Sequence, residues 1–493
     1  MSYYLYSCFF TSAKINAQKA NVNIITTGYQ GNVDVFDPAV NYNPKDFISI
    51  IPVDKNGKAV YTTDVSSPRY IVIYFNLPGN MQIPYCLFLS TGNDLSFKIL
   101  FTNNIPKISV SGKGSNNNQP EIFALTNPDL TKFKGDVLPN RVIAYIKTQE
   151  GQNKIILKQY IKKYKPSAAF IKNALINNQY FALNNYYEFY HYKYLPFTNN
   201  PEHDQWQRVE DSLLAKHKLN NDDALTAYNY DHFIGNFLIQ EGPILRSEEL
   251  QQPAKFYRDF YQTTVKKGRV IYAAESRNLF FESIINKYFT GKTRERVYAQ
   301  MLRFHLRFNH YEDLELVYRH FKSKYPSSSY IPIFSSAIAE IVTKEKQTLN
   351  SNMVFVTDNG TKLNTLEDVV HLMKGRTTFV DMWGTWCGPC RIELEKFTPQ
   401  IREHFKGKGI AFLYIANNDS DHKEQWKKVI EFYKIEGIHI LANEHLNNDI
   451  MTKIKCTGYP SHFIIKKDGS ILKTKIQDEA QTQELIKEIE ASL

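Results

Sequence analysis

Phe379-Val380-Asp381-Met382-Trp383-Gly384-Thr385-Trp386-Cys387-Gly388-Pro389-Cys390 is the stretch on which the reading of this chain turns. Its first five residues are apolar or aromatic save one acid, the composition of a buried strand. A Cys-x-x-Cys then opens a helical pattern. Cys387 therefore falls at a helix N-terminus, where unpaired backbone N–H groups and the helix dipole favour a thiolate over a thiol. The thiolate is the form that attacks a disulfide. Cys390, one turn further on, is expected to be the more buried of the two and to resolve a mixed disulfide. Pro389 constrains the loop between them and carries no N–H. The alternative is half of a zinc site, which would need two further Cys or His ligands. Cys456 and His462 are the nearest downstream, but the Trp-Cys-Gly-Pro-Cys context does not suit zinc.

Around this stretch the chain alternates between β and α after Gln347. Residues 378–383 read as a strand, 391–405 as a helix, and 410–416 as an apolar run fit for a buried parallel strand. A helical pattern over 423–433, an extended one over 437–442 and another helix over 446–454 follow. Segments 462–466 and 471–476 flank Asp468-Gly469, a hairpin signal, and 482–493 is a last helix.

These residues resemble thioredoxin, and more closely the TlpA/ResA-like family of envelope thiol–disulfide oxidoreductases. The resemblance covers 347–493 and rests on Trp386-Cys387-Gly388-Pro389-Cys390, on Asp381 at the place of thioredoxin's buried acid, on Glu393 three residues after the second cysteine, and on Gly458-Tyr459-Pro460, which matches the cis-proline loop. The strand and helix over 437–454 resemble that family's insertion. Phe397-Thr398-Pro399 departs from the pattern, since the family more often has a proline directly after Glu-Leu or Glu-Met. The resemblance implies an α/β thioredoxin fold and a redox-active Cys387–Cys390 disulfide with no other cofactor and no metal. It also implies that Pro460 faces Cys387 and that Trp386, with Gly388, Pro389 and Tyr459, forms the surface that meets a substrate. Protein thiols and disulfides are the implied partners, with a membrane-bound thiol donor upstream.

Asp381 and Glu393 are the candidate proton handlers. A carboxylate beside the buried thiol can take its proton during resolution if burial raises its pKa. Asp381 in an apolar strand is costly without such a role. Glu393 has an ordinary alternative as a first-turn helix acid. Cys456 reads as a small buried hydrophobe.

Upstream, the chain of 493 residues has room for about three domains. Segments 22–27, 48–53, 70–77, 86–89, 95–101 and 108–110 are short runs rich in Val, Ile, Phe and Tyr, bounded by turn signals such as Asn56-Gly57, Pro78-Gly79-Asn80 and Gly92-Asn93. Together they read as an antiparallel β-sandwich over 21–123. This region resembles the β domain that often precedes TlpA-like domains, through Leu89-Ser90-Thr91-Gly92-Asn93-Asp94 and Gly112-Lys113-Gly114. No activity comes with that likeness. Over 124–346 the period becomes helical: Ala182, Tyr186, Phe189 and Tyr190 share a face, as do Val297, Met301, Phe304 and Phe308, and then Leu314, Val317, Tyr318 and Phe321. Pro166 and Pro326 each stand between two helical patterns, where proline ends one helix and opens another.

Residues 1–20 are set apart as an atypical or clipped secretory signal. A short apolar stretch at 3–13 precedes Ile15-Asn16-Ala17, which suits a cleavage site. Leu5-Tyr6-Ser7-Cys8 also has lipobox spacing, which would lipidate Cys8, although Phe9 and Phe10 carry the apolar run past it. The expected location is the periplasm or cell envelope, with anchoring through the signal or a lipid. The net charge of +10 is spread through the chain with no long block of one sign, so nucleic acid is not an expected partner. The expectation is a dithiol–disulfide oxidoreductase that reduces protein disulfides. An oxidase or isomerase using the same cysteines, and a binding or scaffold protein with a subordinate redox domain, are the alternatives.

Overall fold

The computed structural model describes residues 18–38, 48–77, 81–101, 106–125, 128–193, 203–420, 423–475 and 481–492. The Leu5–Cys8 motif, the cleavage-site expectation and the Pro78-Gly79-Asn80 turn lie outside the described residues. The chain falls into two compact units, Met1–Arg303 and Phe304–Leu493. Among the described residues, no helix is long and apolar enough to cross a membrane.

In the first unit, strands β1 (Gln18–Thr27), β2 (Asn32–Phe36), β3 (Ser49–Pro52), β4 (Lys58–Val65), β5 (Arg69–Leu77), β6 (Met81–Leu89), β7 (Asp94–Leu100) and β8 (Lys107–Lys113) form two four-stranded sheets, ordered β4-β1-β7-β8 and β3-β2-β5-β6. Alternate residues of both sheets, among them Val22, Ile24, Ile73, Phe75, Leu87 and Phe97, share one core. The sandwich is therefore present, with one correction to its expected antiparallel character: β1 pairs with β7 in parallel, Val22 opposite Leu95. Parallel neighbours need a long crossover, and here the chain builds the whole second sheet between the two strands. β1 begins at Gln18, so the last residues of the expected signal segment belong to it, and Ala20 is fully buried. Strands β2 and β4 escape the sequence reading. β2 is only five residues long, and β4 buries Ala59, Tyr61, Thr63 and Val65, a face of weak apolar contrast.

The helices that follow are α1 (Asn140–Tyr164), α2 (Ala168–Gln179), α3 (Phe181–Lys193), α4 (His203–Leu214), α5 (Tyr228–Gln251), α6 (Pro253–Asp259), α7 (Val265–Ala274), α8 (Arg277–Tyr288) and α9 (Gly291–Arg307). Pro166 does separate two of them: α1 ends at a left-handed Lys165, and the Ser167 side chain caps α2 by accepting from Phe170 N.

The second unit opens with α10 (Leu314–Lys324) and α11 (Ile331–Lys344), divided at Pro326. It then builds a six-stranded sheet from β9 (Met353–Phe355), β10 (Thr377–Trp383), β11 (Ile410–Ala416), β12 (Gly437–Leu441), β13 (Ser461–Ile465) and β14 (Ile471–Lys473), in the order β14-β13-β10-β11-β12-β9. β10 lies in the middle and every one of its residues is buried, which explains its near-continuous apolar sequence. Helices α12 (Leu366–Leu372), α13 (Gly388–Lys396), α14 (Thr398–Phe405), α15 (Lys423–Tyr433), α16 (Glu444–Lys453) and α17 (Thr482–Glu490) complete the α/β thioredoxin-like layer structure. The single helix expected over 391–405 is two, α13 and α14. Pro399 stands in the first turn of α14, where its missing N–H is harmless, and its ring forbids a continuous helix through Phe397.

Candidate active site

β10 delivers the chain to the Cys-x-x-Cys at the head of α13. Cys387 is the N-cap of that helix, in extended conformation (φ −84°, ψ 101°), and its Sγ accepts the backbone N–H of Cys390 at 3.2 Å. The two cysteines form a disulfide. Cys390 is the more enclosed, at 1% exposure against 4% for Cys387. A sulfur held at an N-cap, within reach of a backbone donor, is the arrangement that favours a thiolate once the bond is reduced.

The turn before the cysteines is braced from the end of β11. Asp419, buried, accepts from Thr385 N at 2.7 Å and from Thr385 Oγ1 at 2.5 Å. Asn417 N donates to Trp383 O at 2.8 Å, while Asn417 O accepts from Trp386 Nε1 at 2.9 Å. A Cβ at Gly384 would stand 2.5 Å from Trp386 Nε1, so only glycine lets the indole reach that carbonyl. Trp386 remains 42% exposed, an open face beside the disulfide. Its ring meets Tyr459 edge to face at 5.4 Å, and Tyr459 in turn donates from its hydroxyl to Asn447 Oδ1. The Tyr459–Pro460 bond is cis, as the resemblance implies. Cys456 is half-buried and, with Cys86, is a free thiol among the described residues.

Strands β10 and β13 and helix α13 together bury a cluster of ionisable groups. Asp381 (β10) and His462 (β13) are direct cross-strand partners in the antiparallel register. His462 Nε2 stands 3.7 Å from Asp381 Oδ1 and 3.5 Å from Glu393 Oε2 of α13. Asp381, His462 and Glu393 are all buried. The two expected acids are thus brought together around an imidazole that the sequence reading had considered only as a zinc ligand.

With this geometry in view, comparison with known proteins is informative. Residues 347–493 match the Redoxin family. The C-terminal segment is a Redoxin domain. It is 28% identical over 122 residues to the thiol-disulfide oxidoreductase ResA of Bacillus subtilis (strain 168), covering 25% of this chain and 62% of that protein. The sporulation thiol-disulfide oxidoreductase A of the same organism is 27% identical over 111 residues, covering 22% of this chain and 65% of that protein. The chain spans little more than three fifths of the length of these relatives. A solved thiol:disulfide interchange protein from Bacteroides sp. is 23% identical, with a TM-score of 0.21, covering 26% of this chain and 76% of that one.

Helix α13, which carries the Cys-x-x-Cys, is also gripped by residues upstream of the matched stretch, within the same compact unit. Arg391, 2% exposed, donates from Nη1 to Asn309 O at 2.8 Å and from Nη2 to Glu312 at 2.6 Å. Burial works against the Arg391 charge, but Glu312, by charge and hydrogen bond, together with Tyr433 and Asp419, outweighs it and the guanidinium pKa is raised. Asn309, left-handed at φ 56°, returns its side-chain N–H to Glu395 at 2.7 Å, and Asn309 O also accepts from Tyr433 Oη at 2.9 Å. The Phe308 ring covers Gly388 so closely that a Cβ there would lie 3.2 Å away. Phe308 and Tyr433 fall in helical periods, but Asn309 and Glu312 are marked by none. A basic residue directly after the second cysteine was the one available signal, and it does not say where its carboxylate lies.

Proposed function

We propose that the chain is a thiol–disulfide oxidoreductase working outside the cytoplasm, which reduces protein disulfides with Cys387 as nucleophile and Cys390 as resolving thiol. The observation that carries this reading is the Cys387 N-cap, its sulfur bonded to Cys390 and facing the Cys390 N–H. The exposed Trp386 beside it, with Pro389 and Tyr459, offers a docking face for polypeptide, whereas Gly388, expected on that face, is buried beneath the Phe308 ring. The apolar stretch at 3–13 supports export.

In the reduced protein the Cys387 thiolate attacks a substrate disulfide. The Cys387–substrate bond forms as the substrate S–S bond breaks, and one substrate sulfur leaves as a thiolate. Cys390 then gives its proton to Asp381 or Glu393, and its thiolate attacks Cys387 Sγ. The mixed disulfide breaks and the second substrate sulfur leaves as a thiolate. Two electrons have passed to the substrate, and a thiol donor, in this reading membrane-bound, returns two to the enzyme. Gly388-Pro389 between the cysteines is the thioredoxin choice, and a potential near the thioredoxin value of about −270 mV is expected.

Reduction of insulin by the full chain, supplied with dithiol, tests this. Cys387→Ser is expected to abolish the reaction, and Cys390→Ser to attack once and accumulate mixed disulfide. Full activity in both variants would contradict the assignment. A potential above about −180 mV in glutathione buffers would turn the reading towards an oxidase or isomerase.

A further inference from the structure

A histidine inside a fully buried strand calls for a cause. β13 reads Ser-His-Phe-Ile-Ile and all five residues are buried. A leucine at 462 would fill such a core without the cost of burying a polar ring. The ring of His462 lies against Phe379 at 5.4 Å between centroids and 27° between planes, and its backbone carbonyl accepts from Thr474 Oγ1 at 2.9 Å. Packing explains the stack, but not why the ring edge is turned to two acids at once. The titratable groups facing the imidazole are Asp381 from β10, at 3.7 Å, and Glu393 from α13, at 3.5 Å. The cross-strand register fixes the first approach, and Glu393 follows Cys390 by one turn of α13.

We infer that His462 is a positioning residue that orients Asp381 and Glu393 as the pair receiving the Cys390 proton, so that it acts on thiol–disulfide exchange through them and not on the sulfurs. This rests on the proposed function above. The step is the proton transfer already written: the Cys390 S–H bond breaks, an O–H bond forms on one carboxylate, and the electron pair left on sulfur attacks Cys387. The imidazole stands just beyond hydrogen-bond distance of both oxygens in the disulfide form. Catalytic contacts of this kind commonly tighten only when the reacting state is reached.

The test measures attack and resolution separately, against pH, in the full chain carrying His462→Leu or His462→Gln. His462→Leu keeps the bulk and removes the polar edge. It is expected to slow resolution about tenfold or more while leaving attack unchanged. The midpoint of its resolution profile is expected to move to higher pH, because a donor that favours an ionised carboxylate is gone. His462→Gln, with an amide N–H able to reach the same oxygens, is expected to recover part of the rate. A parallel loss in both steps with no change of midpoint would show a merely structural residue and overturn the inference. For a variant that fails to fold, the wild-type chain supplies the answer by NMR. On reduction of the Cys387–Cys390 disulfide the His462 ring signals and the Glu393 carboxyl carbon should shift together, and a Glu393 signal that moves without His462 would overturn the proposal. A wild-type chain without any disulfide exchange would instead overturn the parent reading. A wild-type chain that exchanges, with a His462→Leu variant matching it at every pH, would remove His462 alone.

Discussion

Two aspartates, Asp37 and Asp381, lie in β-rich cores of this molecule at almost no exposure, yet their surroundings differ in kind. Asp37, one residue past β2, takes both arms of Arg69 at 2.6 and 2.7 Å, the Tyr61 hydroxyl at 2.9 Å and the Thr63 hydroxyl at 2.9 Å. Tyr61 and Thr63 belong to one sheet of the sandwich and Arg69 to the other, so the carboxylate braces the two. Asp381 faces His462, and His462 also faces the acid Glu393. A carboxylate fixed by a guanidinium fork and two hydroxyls is locked in one protonation state. A carboxyl grouped with a second acid and an imidazole can exchange a proton, which is what resolution of a mixed disulfide requires. Burial alone therefore says little about role; the titration behaviour of the neighbours decides it.

The sharpest way to break this contrast is Asp37→Asn. It strands a buried guanidinium, and a loss of about 3–5 kcal/mol in urea unfolding is expected, with disulfide exchange unchanged in the protein that remains folded. A loss under about 1 kcal/mol would mean the brace is not one. Asp381→Asn should do the reverse: resolution slowed about 100-fold with attack nearly intact. Stopped-flow separation of the two steps reads this directly. If attack alone slows, the acid tunes Cys387 and the division of roles falls.

A third buried group sharpens the comparison with a smaller effect. His439 is fully buried, stacked on Tyr414 at 5.4 Å and 2.8 Å from Ile435 O. Burial pushes its pKa down to about 4, against the modest upward pull of that carbonyl. The folded state therefore holds His439 neutral while the unfolded chain takes up a proton below about pH 6.5. Its stabilising contribution is complete above that pH and is lost as pH falls towards 4. About 2 kcal/mol of stability in the Redoxin domain should disappear between pH 7 and pH 5 and be spared in His439→Gln. With one fixed partner, His439 should behave like Asp37, so the same substitution should leave the pH profile of exchange unaltered.

How much of this was legible in the sequence follows from how local each feature is. β10, Cys387 and the start of α13 are contiguous, and the strand-to-helix switch is written in twelve residues. The 423–433 helix likewise carries its own apolar stripe, and α15 spans the expected residues. β9 and α12 were missed because three and seven residues hold too little periodicity, although Thr365 and Asp368 form a capping box that could have marked α12. At the site, the cysteines, Asp381, Glu393 and Pro460 sit in a pattern with fixed spacing. His462 does not: its meaning comes from the β10–β13 register, which pairs residues far apart in the chain. The same holds for Arg391, whose partners Asn309 and Glu312 come from an irregular link between α9 and α10.

The central claim is that Cys387 is the nucleophile because it caps α13. Alkylation of the reduced full chain, followed at Cys387 against pH, tests it most directly. The account predicts an apparent pKa clearly below the free-cysteine value of about 8.5, with Cys387 reacting ahead of the enclosed Cys390. A midpoint at or above about 8.5, or faster reaction at Cys390, would contradict it.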